Sequence, residues 1–311
     1  MNFNNIFFIE MIQKINFPLR KLALDKQTNF LGSEENSLKF LNKFVDTLEE
    51  LELGSTFSAS VYEMIFMKFK KLKVLDLQLM YAPKENTFYH NLRPNVSVKK
   101  LIIRNLIPRC EQMLQGFIGN LPNVESLTLV DSGLSKEMVQ FISNNMQQLE
   151  ELKLPTLKSS SLKDVVLPNI KSLHIRFLET VYNDDWHAIC RSLPNIQNFS
   201  FKSVSPTSSL SELMFQIFTQ CWKNLTHIDL GSGFIPSERI FTMLVHNSKN
   251  LKSVSIPAEI KFKNHRLVDF VHKLFEKVQG PRLFYKSSTQ LTQEHVGFWD
   301  NVDYQRCSDG W

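Results

Sequence analysis

The stretch Asp184-Asp185-Trp186-His187-Ala188-Ile189-Cys190 gathers two carboxylates, an imidazole and a thiol within seven residues. Such side chains could pair a nucleophilic thiol with a histidine base, or hold a divalent metal. The spacing argues against both. His187 and Cys190 stand three apart with no second pair of ligands, and they fall on a segment with helical patterning. Asp184 or Asp185 there reads as a helix cap, and Cys190 as a buried thiol. No GxxxxGK[ST], HExxH, GxSxG or EF-hand loop occurs. Glycine is scarce, 10 of 311 residues, which disfavours a phosphate cradle. The chain reads as a non-enzyme without a cofactor or metal.

What positions these residues is a repeat. The pattern apolar-x-x-apolar-x-apolar begins at Leu19, Leu48, Leu72, Val98, Val124, Leu149, Ile170, Ile196, Leu225 and Leu251. The spacings run from 21 to 29 residues and average about 26. One match means little, but ten in near-constant register specify stacked units. The last two apolar positions alternate with polar ones, as in a short strand with one buried face. Between templates lie amphipathic segments at 37–48, 59–69, 135–146 and 211–222, and Ser135 reads as an N-cap. Pro-Asn at 94–95, 122–123, 168–169 and 194–195 ends the return toward the strand. Residues 156–169 are too short and polar for a full helix. One strand and one helix cannot bury their own apolar faces, whereas stacked units bury them against each other.

This unit resembles the leucine-rich repeat, in its ribonuclease-inhibitor-like and F-box-type subclasses. Cys221-Trp-Lys-Asn-Leu225 and Cys190-Arg-Ser-Leu-Pro-Asn-Ile196 have the shape in which a Cys closes the helix before the strand. The resemblance implies an α/β solenoid, a horseshoe of about ten strand-helix repeats with a parallel concave sheet. It covers about residues 1–280, leaving 281–311 as a C-terminal cap or tail. It further implies a protein-binding module, the substrate-recognition part of an F-box-type ubiquitin ligase receptor, with a Skp1-like adaptor as a second partner only where an F-box accompanies the repeats. No F-box pattern is found, so a free-standing scaffold or inhibitor is the alternative. The family's Asn or Cys after the strand is largely absent, since that slot holds Gln27, Thr56, Met80, Leu106 and Ser132 in the first five repeats. The turns must satisfy their backbone groups otherwise.

At the N-terminus, Ile6, Ile9, Ile12 and Ile15 read as the helix of an earlier, incomplete repeat. At the other end, 265–280 reads as a closing helix, followed by Phe284, Tyr285, Phe298, Trp299, Tyr304 and Trp311. Composition is that of a folded protein, with 43% hydrophobic and 22% charged residues. Four cysteines without CxxC spacing suggest free thiols. No apolar run is long enough to cross a membrane, and no signal peptide is read at the start. Cytoplasm or nucleus is the expected address.

Function is expected on the concave face, at the third, fifth and seventh template positions. Repeats one to three place Asp25, Glu50, Glu52 and Asp76 there against Lys21, a net of −3. Repeats four to eight place Lys100, Arg104, Lys153, Arg176 and Lys202 there against Glu151, a net of +4 before His174. The basic stripe of Lys100, Arg104, Lys153, His174, Arg176 and Lys202 is the expected contact for a charged protein segment. Joint reversal of Lys100, Arg104 and Arg176 is expected to abolish binding without shifting the melt. Nucleic acid is the remote alternative, disfavoured by the acidic first strands and the lack of stacking aromatics.

Overall fold

The computed structural model describes residues 18–24, 34–54, 57–79, 89, 92–107, 110–131, 133–157, 159–178, 183–204, 212–231, 236–257, 265–278 and 280–286. The N-terminal isoleucines and the aromatics beyond Tyr285 lie outside them. The chain divides into two compact units, Met1–Ile170 and Lys171–Trp311. In the first, strands β1 (Lys21–Leu24), β2 (Glu50–Leu53), β3 (Val74–Gln78), β4 (Lys100–Arg104), β5 (Ser126–Leu129) and β6 (Glu151–Leu154) stand in chain order. Between them come helices α1 (Glu34–Asn42), α2 (Ala59–Lys68), α3 (Glu111–Gly119), α4 (Lys136–Asn145) and, after β6, α5 (Ser159–Leu162). The second unit holds β7 (Ser172–Leu178), β8 (Asn198–Val204), β9 (His227–Asp229), β10 (Ser253–Pro257) and β11 (Arg282–Lys286). Its helices are α6 (Asn183–Ser192), α7 (Glu212–Cys221), α8 (Glu238–Asn247) and α9 (His265–Lys277). The strands pair in parallel, and the sheet is not closed.

All ten templates coincide with strands, and within each unit they stand in matching register: Leu51 pairs with Leu75, Leu101 with Leu127, and Phe199 with Ile228. An eleventh strand, β11, pairs with β10, so the strand series runs past residue 280. Helix five is only four residues long, as expected from the short 156–169 stretch. From β2 to β6 the fourth and sixth template residues are at most 1% exposed, and each fully buried leucine contributes roughly 1.5–3 kcal/mol. The second unit has an aromatic core. Trp222 stacks on Phe218 with ring centres 4.6 Å apart, and Phe199 meets both rings at 5.2 and 4.9 Å.

Two recurring devices join neighbouring repeats. Ser135, capping α4, accepts the Met138 amide at 3.1 Å and donates to Glu111, the first residue of α3, at 3.0 Å. Ser237, capping α8, accepts the Ile240 amide at 3.4 Å and donates to Glu212, the first residue of α7, at 2.9 Å. The second device is an asparagine just before the template. Asn123, Asn169 and Asn250 each donate to a carbonyl in the preceding repeat's turn, those of Val96, Gln147 and Lys223, at 2.8–3.0 Å. These rungs supply turn bonds that the family's usual residue after the strand does not.

Candidate functional site

Helices cover one face of each sheet, so the side chains of the third, fifth and seventh template positions stand on the other. In the first unit this face is a network of internal charge pairs. Lys21 meets Glu50 at 3.0 Å across β1 and β2. Arg104 grips Asp76 with both Nε and Nη2, at 2.9 and 2.8 Å, and its Nη2 lies 3.9 Å from Glu52. Burial opposes the Arg104 charge, but the Asp76 hydrogen bonds and charge outweigh it and hold the guanidinium above its ordinary pKa. Lys153 pairs with Glu151 at 3.1 Å, and Ser126 Oγ donates to the same carboxylate at 2.5 Å. Burial, reinforced by the charge of Lys153, pushes Lys100 below the ordinary lysine value.

Several positions expected to face solvent do not. Asp76, Gln78, Ile102, Thr128 and Val130 are at most 7% exposed. Residues in register on parallel strands stand about 4.8 Å apart, so a short side chain between long ones loses its water. Asp76 lies under the Arg104 fork, and Thr128 stands between Ile102 and Lys153. Among the described residues the buried Thr128 hydroxyl has no hydrogen-bond partner. Joint reversal of Lys100, Arg104 and Arg176 therefore cannot leave the melt untouched, since Arg104 neutralises a buried carboxylate and Arg176 is itself buried.

The second unit presents small polar groups instead. Asn198 Nδ2 donates to Ser172 Oγ at 2.8 Å, and His227 Nδ1 lies 2.8 Å from Asn198 Oδ1. His174 Nδ1 sits 2.5 Å from Ser200 Oγ in the next row. Ser253 and Ser255 continue the two rows on β10, half-buried. Phe284, on β11, is 48% exposed in register with Ser255. Arg176 is buried on β7. Lys202 lies on β8, with its side chain outside the described residues. Thus Lys100 and Lys153 are brought together in one unit, His174 and Arg176 share a strand in the other, and Arg104 turns to Asp76.

The Asp184–Cys190 stretch behaves as a helix. It lies in α6, which begins at Asn183 and puts Asp184 and Asp185 in the first turn. His187 is exposed while Cys190 is 2% exposed, so imidazole and thiol do not converge. Burial, with Cys221 alongside, pushes the Cys190 thiol far up, away from the reactive thiolate. Among the described residues no group of three or more His, Cys, Asp or Glu could hold a metal, and no helix is long and apolar enough to cross a membrane.

The sequence reading missed the polar rows of the second unit because it weighted charge. Serine at alternate template positions (Ser172, Ser200, Ser253, Ser255) was the signal that could have found them. No protein-family model matches the sequence, and no curated protein does. Among solved structures, the leucine-rich repeat-containing protein LegL7 from Legionella pneumophila is similar at a TM-score of 0.50 and 14% identity, covering 87% of this chain and 91% of that one. The Rad7 and Elc1 complex of yeast is similar at a TM-score of 0.41 and 16% identity, over 80% of this chain and 78% of that one. With parallel strands alternating with helices in chain order, the chain has the fold of a leucine-rich-repeat solenoid.

Proposed function

We propose that the chain is a protein-interaction module that takes a protein partner on the helix-free face of its sheet. The observation that supports this is the pair of polar rows on the second unit, Ser172–Asn198–His227 and His174–Ser200. Their donors and acceptors are fixed laterally before any partner arrives, which lowers the ordering cost of binding. Serines leave room for a partner backbone to approach, and the imidazoles, His174 half-buried and His227 exposed, supply hydrogen bonds. Lys100 and Lys153 in the first unit, and Arg176 and Lys202 in the second, are the basic contacts of this reading. Arg104 serves chiefly to hold Asp76.

Substrate recognition within an F-box-type ubiquitin ligase is the cellular setting we infer, resting on the Cys-closed helices before Ile196 and Leu225. The test is affinity capture from lysate by wild type, by Ser200→Arg with Ser255→Arg, and by the helix-face control Gln216→Arg. Wild type and control should retain a shared protein that the double variant loses, with equal melts for all three. Equal retention by all three would overturn the reading. A Skp1-like adaptor among the retained proteins supports the ligase setting, and its absence leaves the free-standing scaffold.

A further inference from the structure

Neighbouring helices of the second unit meet along a seam near their C-terminal ends. Between α8 and α7, Asn247, four residues before one template, donates from Nδ2 to Thr219 Oγ1, six before the preceding template, at 3.2 Å. One repeat earlier the same two positions hold Cys221 and Cys190. The Cys221 thiol lies within hydrogen-bonding reach of the Cys190 sulfur. Contacts on either side hold the two together. A turn earlier, Trp186 meets Phe218 edge-on with ring centres 4.7 Å apart. Just beyond, the Trp222 indole donates to the Leu193 carbonyl at 2.7 Å. Both cysteines are free thiols.

Their surroundings give the two thiols different parts. Cys190 is 2% exposed, and burial, with Cys221 beside it, keeps it protonated. Cys221, the last residue of α7, is only half-buried and meets a small oxidant first. We propose that Cys221 is an oxidation site and Cys190 its resolving thiol, the pair closing a disulfide that staples α6 to α7 in response to hydrogen peroxide. The Cys221 thiolate attacks one peroxide oxygen, the O–O bond breaks, and a sulfenic acid forms as hydroxide leaves with the thiol's proton as water. The Cys190 sulfur then attacks the Cys221 sulfur and the S–O bond breaks. The departing hydroxide takes the Cys190 proton as a second water. Two thiols and one peroxide thus become one disulfide and two waters, with two electrons passing from sulfur to oxygen. Contact between the sulfurs makes the second step intramolecular, which offsets the weak nucleophilicity of a protonated Cys190.

The staple closes the chain from 190 to 221 into a loop that contains β8. A cross-link removes conformational freedom from the opened state, so β8 opens more rarely once the bond has formed. Oxidation therefore stiffens the repeat that carries Asn198 and Ser200, whether or not those side chains engage a partner.

The test takes the full wild-type chain, reduced, then treated with a slight excess of hydrogen peroxide, alkylated, and digested without reductant. Mass spectrometry should find the Cys190 and Cys221 peptides joined in monomeric chain, lighter by two hydrogens than the separate thiol peptides. Cys190→Ala should leave Cys221 as a sulfenic acid that dimedone captures, whereas Cys221→Ala should leave Cys190 a free thiol. In the oxidised wild type, amides of β8 should exchange roughly tenfold slower or more, with β2 and β3 unchanged and dithiothreitol restoring the rate. Alkylation of both thiols after peroxide, disulfides that join only other cysteines or separate chains, dimedone on Cys190 in Cys221→Ala, or unaltered β8 exchange would each overturn the proposal.

Discussion

Arg104 and Asp76 show how a charge on this sheet must be read against its neighbour. Asp76 is 5% exposed and receives both arms of the Arg104 fork. Removing one partner from so buried a pair leaves a desolvated charge, at a cost of about 3 kcal/mol. Arg104→Met is therefore expected to lower the unfolding free energy by about that amount, while Asp76→Leu with Arg104→Met together should lie within about 1 kcal/mol of wild type. A denaturant double-mutant cycle measures the coupling, and additive single effects would contradict the pairing. Thr128 makes the opposite case. Its hydroxyl is fully buried and has no partner among the described residues, so isosteric Thr128→Val should raise stability by about 1 kcal/mol. The net charges of the first unit's face were legible from residue types, but their pairing was not. Summing charge along the repeats treated Asp76 and Arg104 as opposite ends of a dipole, whereas a diagonal across adjacent strands turns them into one neutral unit. Side-chain direction and reach decide that, and neither is written in the repeat period.

At the scale of elements, strands and helices were easy to read because the template forces them. Leucines two apart on a short strand must face the helices, and Ser135 ahead of Met138 and Val139 marks where α4 begins. Strand β11 escaped because Gly280 fills the slot where other repeats place their first apolar residue. The asparagine rungs escaped because they precede the template instead of following it. Asn123 and Asn250 sit in exposed turns and donate one bond each, so replacement by alanine should cost about 0.5–1 kcal/mol apiece, additively, in equilibrium melts. Gly116, inside α3, sets propensity against packing. Alanine in an exposed helix interior gains up to about 1 kcal/mol over glycine. Here a Cβ would lie 2.3 Å from a carbon of the Tyr89 ring, which is 4% exposed and has little room to move. Overpacking of that kind costs about 1–3 kcal/mol, so Gly116→Ala is expected to melt below wild type. A higher melt would show that Tyr89 swings away freely.

At the scale of the whole molecule, stacking limits how far any perturbation travels. Each repeat buries its core chiefly against its neighbours, so stability is closer to a sum of local terms than to one indivisible quantity. Trp222 offers the sharpest probe. It is fully buried, stacks on Phe218, meets Phe199, and donates its indole hydrogen to the Leu193 carbonyl at 2.7 Å. Truncation to alanine removes the ring contacts and orphans that carbonyl, at about 3–5 kcal/mol. Every 1.4 kcal/mol is tenfold in an opening equilibrium, so amides of β8 and β9 should exchange roughly a hundred- to a few thousandfold faster. The pairs β2–β3 and β3–β4 belong to the first unit, where Leu51, Leu75 and Leu101 are buried, at most 1% exposed. Trp222→Ala should therefore leave exchange in those strands within a fewfold of wild type. Equal acceleration everywhere would mean that the chain opens as one cooperative body, and the additivity expected of the asparagine rungs would fall with it.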